Sequence, residues 1–173
     1  DAIMKDKIKS LLDLAITAPS GDNCQPWRFA VNGLLVDLFN DPTVDTSYYN
    51  YLQRASLVSH GAVLENIQIA APTLGLKPTF QLFPNPDNND HVATIMLEEI
   101  QPMDEELAPC LEKRVTNRRQ YDGTLLDDAC LDSLHVAHDD LKCLVAAASR
   151  ALSPRRWVTM LACEASMPGG NGR

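Results

Sequence analysis

The sequence has no run of eighteen apolar residues, which excludes a transmembrane helix. It has no cationic segment leading into an apolar stretch, so no secretory signal peptide is read in it. It opens at Asp1 without an initiator methionine, and a processed or trimmed start is the expectation. Paired cysteines are missing too. Cys24, Cys110, Cys130, Cys143 and Cys163 are odd in number and form no C-x-x-C pair. That excludes a disulfide framework or zinc ribbon and points to reduced thiols in a cytoplasmic protein. Neither G-x-G-x-x-G nor G-x-x-x-x-G-K-[ST] occurs, which argues against a dinucleotide fold or a P-loop. Positive charge is scarce: 15 Lys and Arg stand against 23 Asp and Glu, for a net charge of −8. A nucleic-acid binder would carry the opposite balance.

What is present describes a globular chain. Apolar residues make up 45% and charged residues 22% of 173 positions, room for one ordinary domain or two very small ones. Ile3, Met4, Ile8, Leu11, Leu12 and Ala15 recur at helical spacing, predicting a helix over 3–17 that ends before Pro19. Residues 27–31 and 34–39 alternate as strands around Asn32-Gly33, the signature of a type I′ hairpin turn. Residues 54–74 predict a long central helix buried on most sides, kinked or ended early by Pro72 and capped by Gly75. Residues 78–98 predict a second antiparallel pair. A short helix over 104–114 follows, N-capped by Asp104, then another from Asp127 or Asp128 to about residue 137. Residues 141–145 read as strand or continued helix, and a poorly ordered tail is expected from 165. Helix, hairpin, long helix, hairpin, helices is an α+β order rather than βαβ alternation.

Two constellations stand out. The first is Pro19-Ser20-Gly21-Asp22-Asn23-Cys24-Gln25-Pro26-Trp27, a polar loop between a helix end and a strand. Ser20 and Asn23 carry short polar side chains, Gly21 permits close approach to the backbone, and Gln25 both donates and accepts. The same residues also suit an ordinary capped turn with a core tryptophan. The second is Lys113-Arg114-Val115-Thr116-Asn117-Arg118-Arg119, which holds four of the fifteen basic residues of an acidic chain. Guanidinium forks with a hydroxyl and an amide match a phosphate monoester; a solvated charged turn is the alternative. Ser59-His60 is no catalytic dyad, since adjacent helical residues point apart. His60 is expected to be a partly buried helix residue, and Glu65-Asn66 a packed polar pair. His135 and His138 have a spacing that permits two metal ligands, but no third ligand accompanies them.

Together these segments resemble the nitroreductase family of flavin-dependent oxidoreductases. "APSGDNCQPWRFAV" resembles its proline-serine-x-x-asparagine-x-glutamine-proline-tryptophan signature, "SHGAVLENIQIAAPTLGLKP" its long central helix, and "RVTNRRQYDG" its arginine-rich phosphate motif. The likeness covers residues 5–150. Residues 1–18 lack arginine, and the arginine motif comes about a hundred residues after its usual place. That order resembles the longer subgroup in which two such halves are fused into an internal pseudo-dimer. The resemblance implies a first half over 1–112, the start of an incomplete second half over 113–164 and a disordered tail over 165–173.

It further implies an α+β fold with an antiparallel or mixed sheet flanked by helices, and a homodimer or pseudo-dimer. FMN would be the cofactor and NAD(P)H the electron donor. A nitroaromatic, quinone or similar small acceptor would take the electrons. Pro19, Ser20, Asn23 and Gln25 would touch the ribityl chain or ring edge, and Arg114, Thr116, Asn117, Arg118 and Arg119 would hold the phosphate. No side chain is required as acid or base, and neither a metal nor a nucleic-acid partner is implied. The rival readings are a non-catalytic flavin-sequestering protein and an inactive truncated half.

Overall fold

The computed structural model describes residues 2–116, residue 120 and residues 127–129. The chain divides into two units, Asp1–Arg118 and Arg119–Arg173, and the elements below all belong to the first. The tail, the helix expected beyond residue 129 and the 141–145 element lie outside the described residues.

Helix α1 runs Ala2–Ala15 and buries Ile8, Leu11 and Ala15, the stripe its spacing dictates. Strands β1 (Trp27–Asn32) and β2 (Leu35–Asn40) form the first hairpin. Its turn differs from the expected one. Asn32 pairs with Leu35, so the two-residue loop is Gly33-Leu34, and of these only Gly33 has a positive φ, +59°. Those signs suit a type II′ turn, which asks for left-handed backbone at its first loop position alone. The asparagine is thereby released to the strand ladder.

Helix α2 spans Arg54–Ala70 and turns its buried face, including His60, Val63, Asn66, Ile67 and Ala70, toward the sheet and α1. Pro72 cannot donate to a helical ladder, and residues Ala71–Leu74 tighten into a 3-10 turn. Gly75 closes the turn at φ +70°, its amide bonded to the Pro72 carbonyl at 3.0 Å. A Cβ there would stand 3.0 Å from the Ile100 carbonyl oxygen and 3.2 Å from Pro102 Cγ. Gly75→Ala therefore meets both left-handed strain and a backbone clash. It is expected to cost about 2 kcal/mol or more in urea-induced unfolding.

Strands β3 (Leu76–Leu82) and β4 (His91–Glu99) complete a four-stranded sheet in the order β1-β2-β4-β3, with every pairing antiparallel. The fold is α+β. Val36, Leu38, Leu76, Val92, Ala93, Ile95 and Leu97 form the sheet's share of one core with the two helices. The helix expected over 104–114 does not form; only the 3-10 turn Ala108–Cys110 does. Pro109 has no amide to give the Glu105 carbonyl. The chain instead closes i→i−3 bonds from Cys110 to Leu107 and from Leu111 to Ala108.

Candidate functional site

The site begins at the carboxyl end of α1, where helical carbonyls run out of amide partners. Asn66, buried on the facing side of α2, meets that need. Its Nδ2 lies 3.3 Å from the Leu14 and Ala15 carbonyls and 3.1 Å from Thr17 Oγ1. Arg114 arrives from 97 positions further along the chain, and its Nη2 donates to the Thr17 carbonyl at 3.0 Å. A cation at a helix carboxyl end is favourable in itself. Among the described residues this is the guanidinium's one hydrogen bond, and the side chain is exposed. A guanidinium has five N–H donors, so most of the fork faces solvent.

Three residues after Thr17 the Ser20–Gln25 loop turns sharply. Gly21–Asn23 form a single 3-10 turn, closed by Asn23 N to Ser20 O (3.1 Å) and Cys24 N to Gly21 O (2.9 Å). Asp22, Asn23 and Gln25 all have positive φ, between +47° and +57°. Asp and Asn tolerate such angles, whereas a glutamine holds one where surrounding bonds impose it. Here the Gln25 amide donates to Ser20 Oγ at 3.0 Å, and Gln25 Nε2 donates to Asn23 Oδ1 at 3.3 Å. Asn23 and Gln25 are exposed and Ser20 is half-buried, and among the described residues the Ser20 hydroxyl proton, the Asn23 amide nitrogen and Gln25 Oε1 are not used in these bonds. Beside Gly21 stands Asp45, its Oδ2 3.6 Å from where a Cβ would be.

The loop then enters β1 through a buried junction. The Pro26 carbonyl accepts the Asp41 amide at 2.7 Å, and Trp27 is 8% exposed. The Asp41 carboxyl is held below its ordinary pKa, chiefly by the Thr43 hydroxyl, then by the Thr43 amide, with the Arg28 charge 3.5 Å away assisting. Beneath Pro26 and Trp27 lies His60, fully buried rather than partly so. Its Nδ1 donates to the Ser56 carbonyl at 2.6 Å, and its Nε2 faces the Phe39 carbonyl at 3.4 Å. Its ring meets Trp27 edge-on at 6.3 Å between centroids. Burial pushes the His60 pKa down, against the pull of the Ser56, Phe39 and Pro26 carbonyls and the Asp90 charge.

An unfolded histidine titrates near 6.5. Below that pH the unfolded chain takes up a proton that the folded chain resists. Stability linked to His60 is thus whole above about pH 6.5 and is lost as pH falls toward the lower folded value. Denaturant midpoints measured across this window should fall in the wild type and flatten in His60→Gln.

Of the residues expected to bind a ligand, Pro19, Ser20, Asn23 and Gln25 share one loop, exposed except at the half-buried Ser20, and Arg114 is brought to its threshold. Thr116 is exposed. Asn117, Arg118 and Arg119 lie outside the described residues, as do His135 and His138. The Ser59 hydroxyl donates to the Ala55 carbonyl and the His60 ring to the Ser56 carbonyl, so the two side chains are bonded to different partners. Sequence reasoning missed Thr17 and Asp45 altogether. It gave Asn66 to packing, although an asparagine inside an otherwise apolar helix needs a partner for its amide, which here is the end of α1. Among the described residues no group of three His, Cys, Asp or Glu side chains could hold a metal, and no helix is long and apolar enough to cross a membrane.

No family model matches the chain. Over 118 residues it is 32% identical to the Mycobacterium tuberculosis protein named "Putative NAD(P)H nitroreductase Rv3131", covering 67% of this chain and 34% of that one. Over 93 residues it is 36% identical to "Putative NAD(P)H nitroreductase acg" of the same organism, covering 54% of this chain and 28% of the relative. The chain thus spans about a third of the length of the curated relatives it matches. Among solved structures, one from Desulfovibrio desulfuricans, described as "a putative nitroreductase in complex with fmn", superposes with a TM-score of 0.44 at 20% identity, over 71% of this chain and 84% of that one. Another, "Putative NADH Oxidase" from Clostridium acetobutylicum, gives 0.47 at 18% identity, over 72% and 89%. The chain is thus similar to proteins named as nitroreductases, the family that its motifs resemble.

Proposed function

We propose that this chain forms part of an FMN-dependent oxidoreductase that takes electrons from NAD(P)H and passes them to a small acceptor such as a nitroaromatic or quinone. The observation that carries the reading is the Arg114 bond to Thr17, which sets a mostly free guanidinium three residues from Ser20. The donor set suits FMN. A fork of N–H donors matches a phosphate monoester, and the Ser20 hydroxyl, Asn23 amide and Gln25 amide match ribityl hydroxyls or a polar ring edge. Asp45 beside Gly21 repels a phosphate, so the anionic end belongs on the Arg114 side and the neutral part on the Gly21 side.

When bound, FMN would supply hydride acceptance and onward electron transfer. This chain's residues would bind and orient it. Arg114 holds the phosphate, with Thr116, Asn117, Arg118 and Arg119 as its neighbours in sequence. Ser20, Asn23 and Gln25 hold the remainder, and Pro19 shapes the approach. The rest of the ring pocket would come from a second half or a second copy, since the matched relatives are about twice as long. Equilibrium dialysis should show uptake of FMN, and NAD(P)H consumption with a quinone or nitroaromatic should follow in the loaded protein. FMN uptake without NAD(P)H consumption would favour the flavin-sequestering reading; absence of uptake would refute both.

A further inference from the structure

We propose that His60 is the positioning residue for the Gln25–Trp27 stretch, and that its neutral ring holds this stretch in the form that receives a ligand. The proposal rests on the reading of the Ser20–Gln25 loop as a flavin-binding loop.

Gln25 sits at φ +50° and is fixed from two sides. On the loop side the Ser20 hydroxyl accepts its amide proton. On the core side it continues directly into Pro26 and Trp27, and these rest on His60. A left-handed glutamine has little intrinsic preference for its conformation, so both supports are needed to keep it there. The ring itself is over-supplied with acceptors. The Ser56 carbonyl takes the Nδ1 proton, while the Phe39 and Pro26 carbonyls both face the ring and neither can donate. In the neutral ring Nε2 has no proton, and the Pro26 carbonyl is left to the Asp41 amide. A proton on Nε2 turns that nitrogen into a donor for the carbonyls that the ring faces, Phe39 at 3.4 Å and Pro26, the latter already accepting from the Asp41 amide. The Pro26 peptide is then drawn toward the core and Gln25 with it. The ionisable group facing the ring is Asp90, which precedes β4; the other neighbours, Ser56 on α2, Phe39 on β2 and Pro26, present only carbonyls.

The test is an NMR titration of the ligand-free, isotopically labelled chain from about pH 8 to about pH 5, paired with flavin binding. At the upper end the His60 ring should read as the tautomer protonated on Nδ1. The Gln25 and Trp27 backbone signals should then move with the midpoint of His60 itself, while Ile67 on the same helix does not. In His60→Gln, which keeps a donor for Ser56 but cannot titrate, that pH response should vanish. In His60→Ala, FMN and riboflavin should both bind about tenfold more weakly, with recovery to within about threefold in His60→Gln.

Gln25 and Trp27 signals that ignore the titration of His60 would overturn the proposal, as would flavin affinities unchanged in His60→Ala. If the wild type takes up no flavin, the functional reading falls, and the ligand-free spectra still decide whether His60 positions the loop. The wild-type titration needs no variant, so a misfolded His60→Ala leaves the decision intact.

Discussion

Arg114→Ala should weaken FMN binding by about 10- to 100-fold and riboflavin binding by less than about threefold. The difference between the two ligands is the phosphate. A charge-assisted hydrogen bond to such a group contributes about 1.5–3 kcal/mol, and each 1.4 kcal/mol is a factor of about ten in affinity. The side chain also gives one donor to the Thr17 carbonyl. That contact is exposed, so its loss should alter stability by no more than about 1 kcal/mol. Arg114→Lys keeps the charge but loses the planar fork. Its three donors sit on one nitrogen and match a phosphate less well than the fork does, and its FMN affinity should fall between the other two. Isothermal titration with both ligands measures the contrast. Equal losses for FMN and riboflavin would remove Arg114 from the phosphate.

Asn66→Asp should be the most destabilising single change near the site, costing about 3 kcal/mol or more in urea-induced unfolding at neutral pH. The amide nitrogen of Asn66 is a donor shared by three acceptors, the Leu14 and Ala15 carbonyls and Thr17 Oγ1. An aspartate of the same shape offers oxygen lone pairs to the two carbonyls and a charge to a buried position. Asn66→Ala removes the donor without adding a charge and should cost about 2 kcal/mol, the penalty of leaving helix-end carbonyls unmet. Destabilisation of the aspartate variant should lessen on acidification, because protonation restores a donor. An aspartate no worse than the alanine at neutral pH would show that these carbonyls find water instead.

How far the sequence alone reaches can be judged element by element. The two hairpins and α2 follow from alternation, Asn32-Gly33, and a stretch rich in Ala, Leu, Ile and Val with few charges, all local signals. Gly75 follows from its place just behind a proline-ended helix. The error at 104–114 came from weighting the acidic first turn over Pro109, which withholds a bond that the helix needs. The displaced turn came from giving Asn32 to the loop when the strand ladder could use it.

The site was legible only in its parts. The loop and the arginine cluster are visible as residue types. What joins them is not, because Arg114 to Thr17 spans 97 positions and Asn66 to Thr17 spans 49. No periodicity encodes a contact of that range. The left-handed angles at Asp22 and Asn23 are of a kind such residues tolerate, whereas Gln25 gives no sequence hint; its conformation is imposed by Ser20 and by the junction over His60.

The central claim is that the Ser20–Gln25 loop and Arg114 serve one anionic ligand. It is tested most directly by titrating FMN into the isotopically labelled chain while following the Ser20, Asn23 and Gln25 amides together with the Arg114 side-chain Nε–H. All four signals should shift along a single saturable curve. Saturation at the loop alone, at Arg114 alone, or on two separate curves would contradict it.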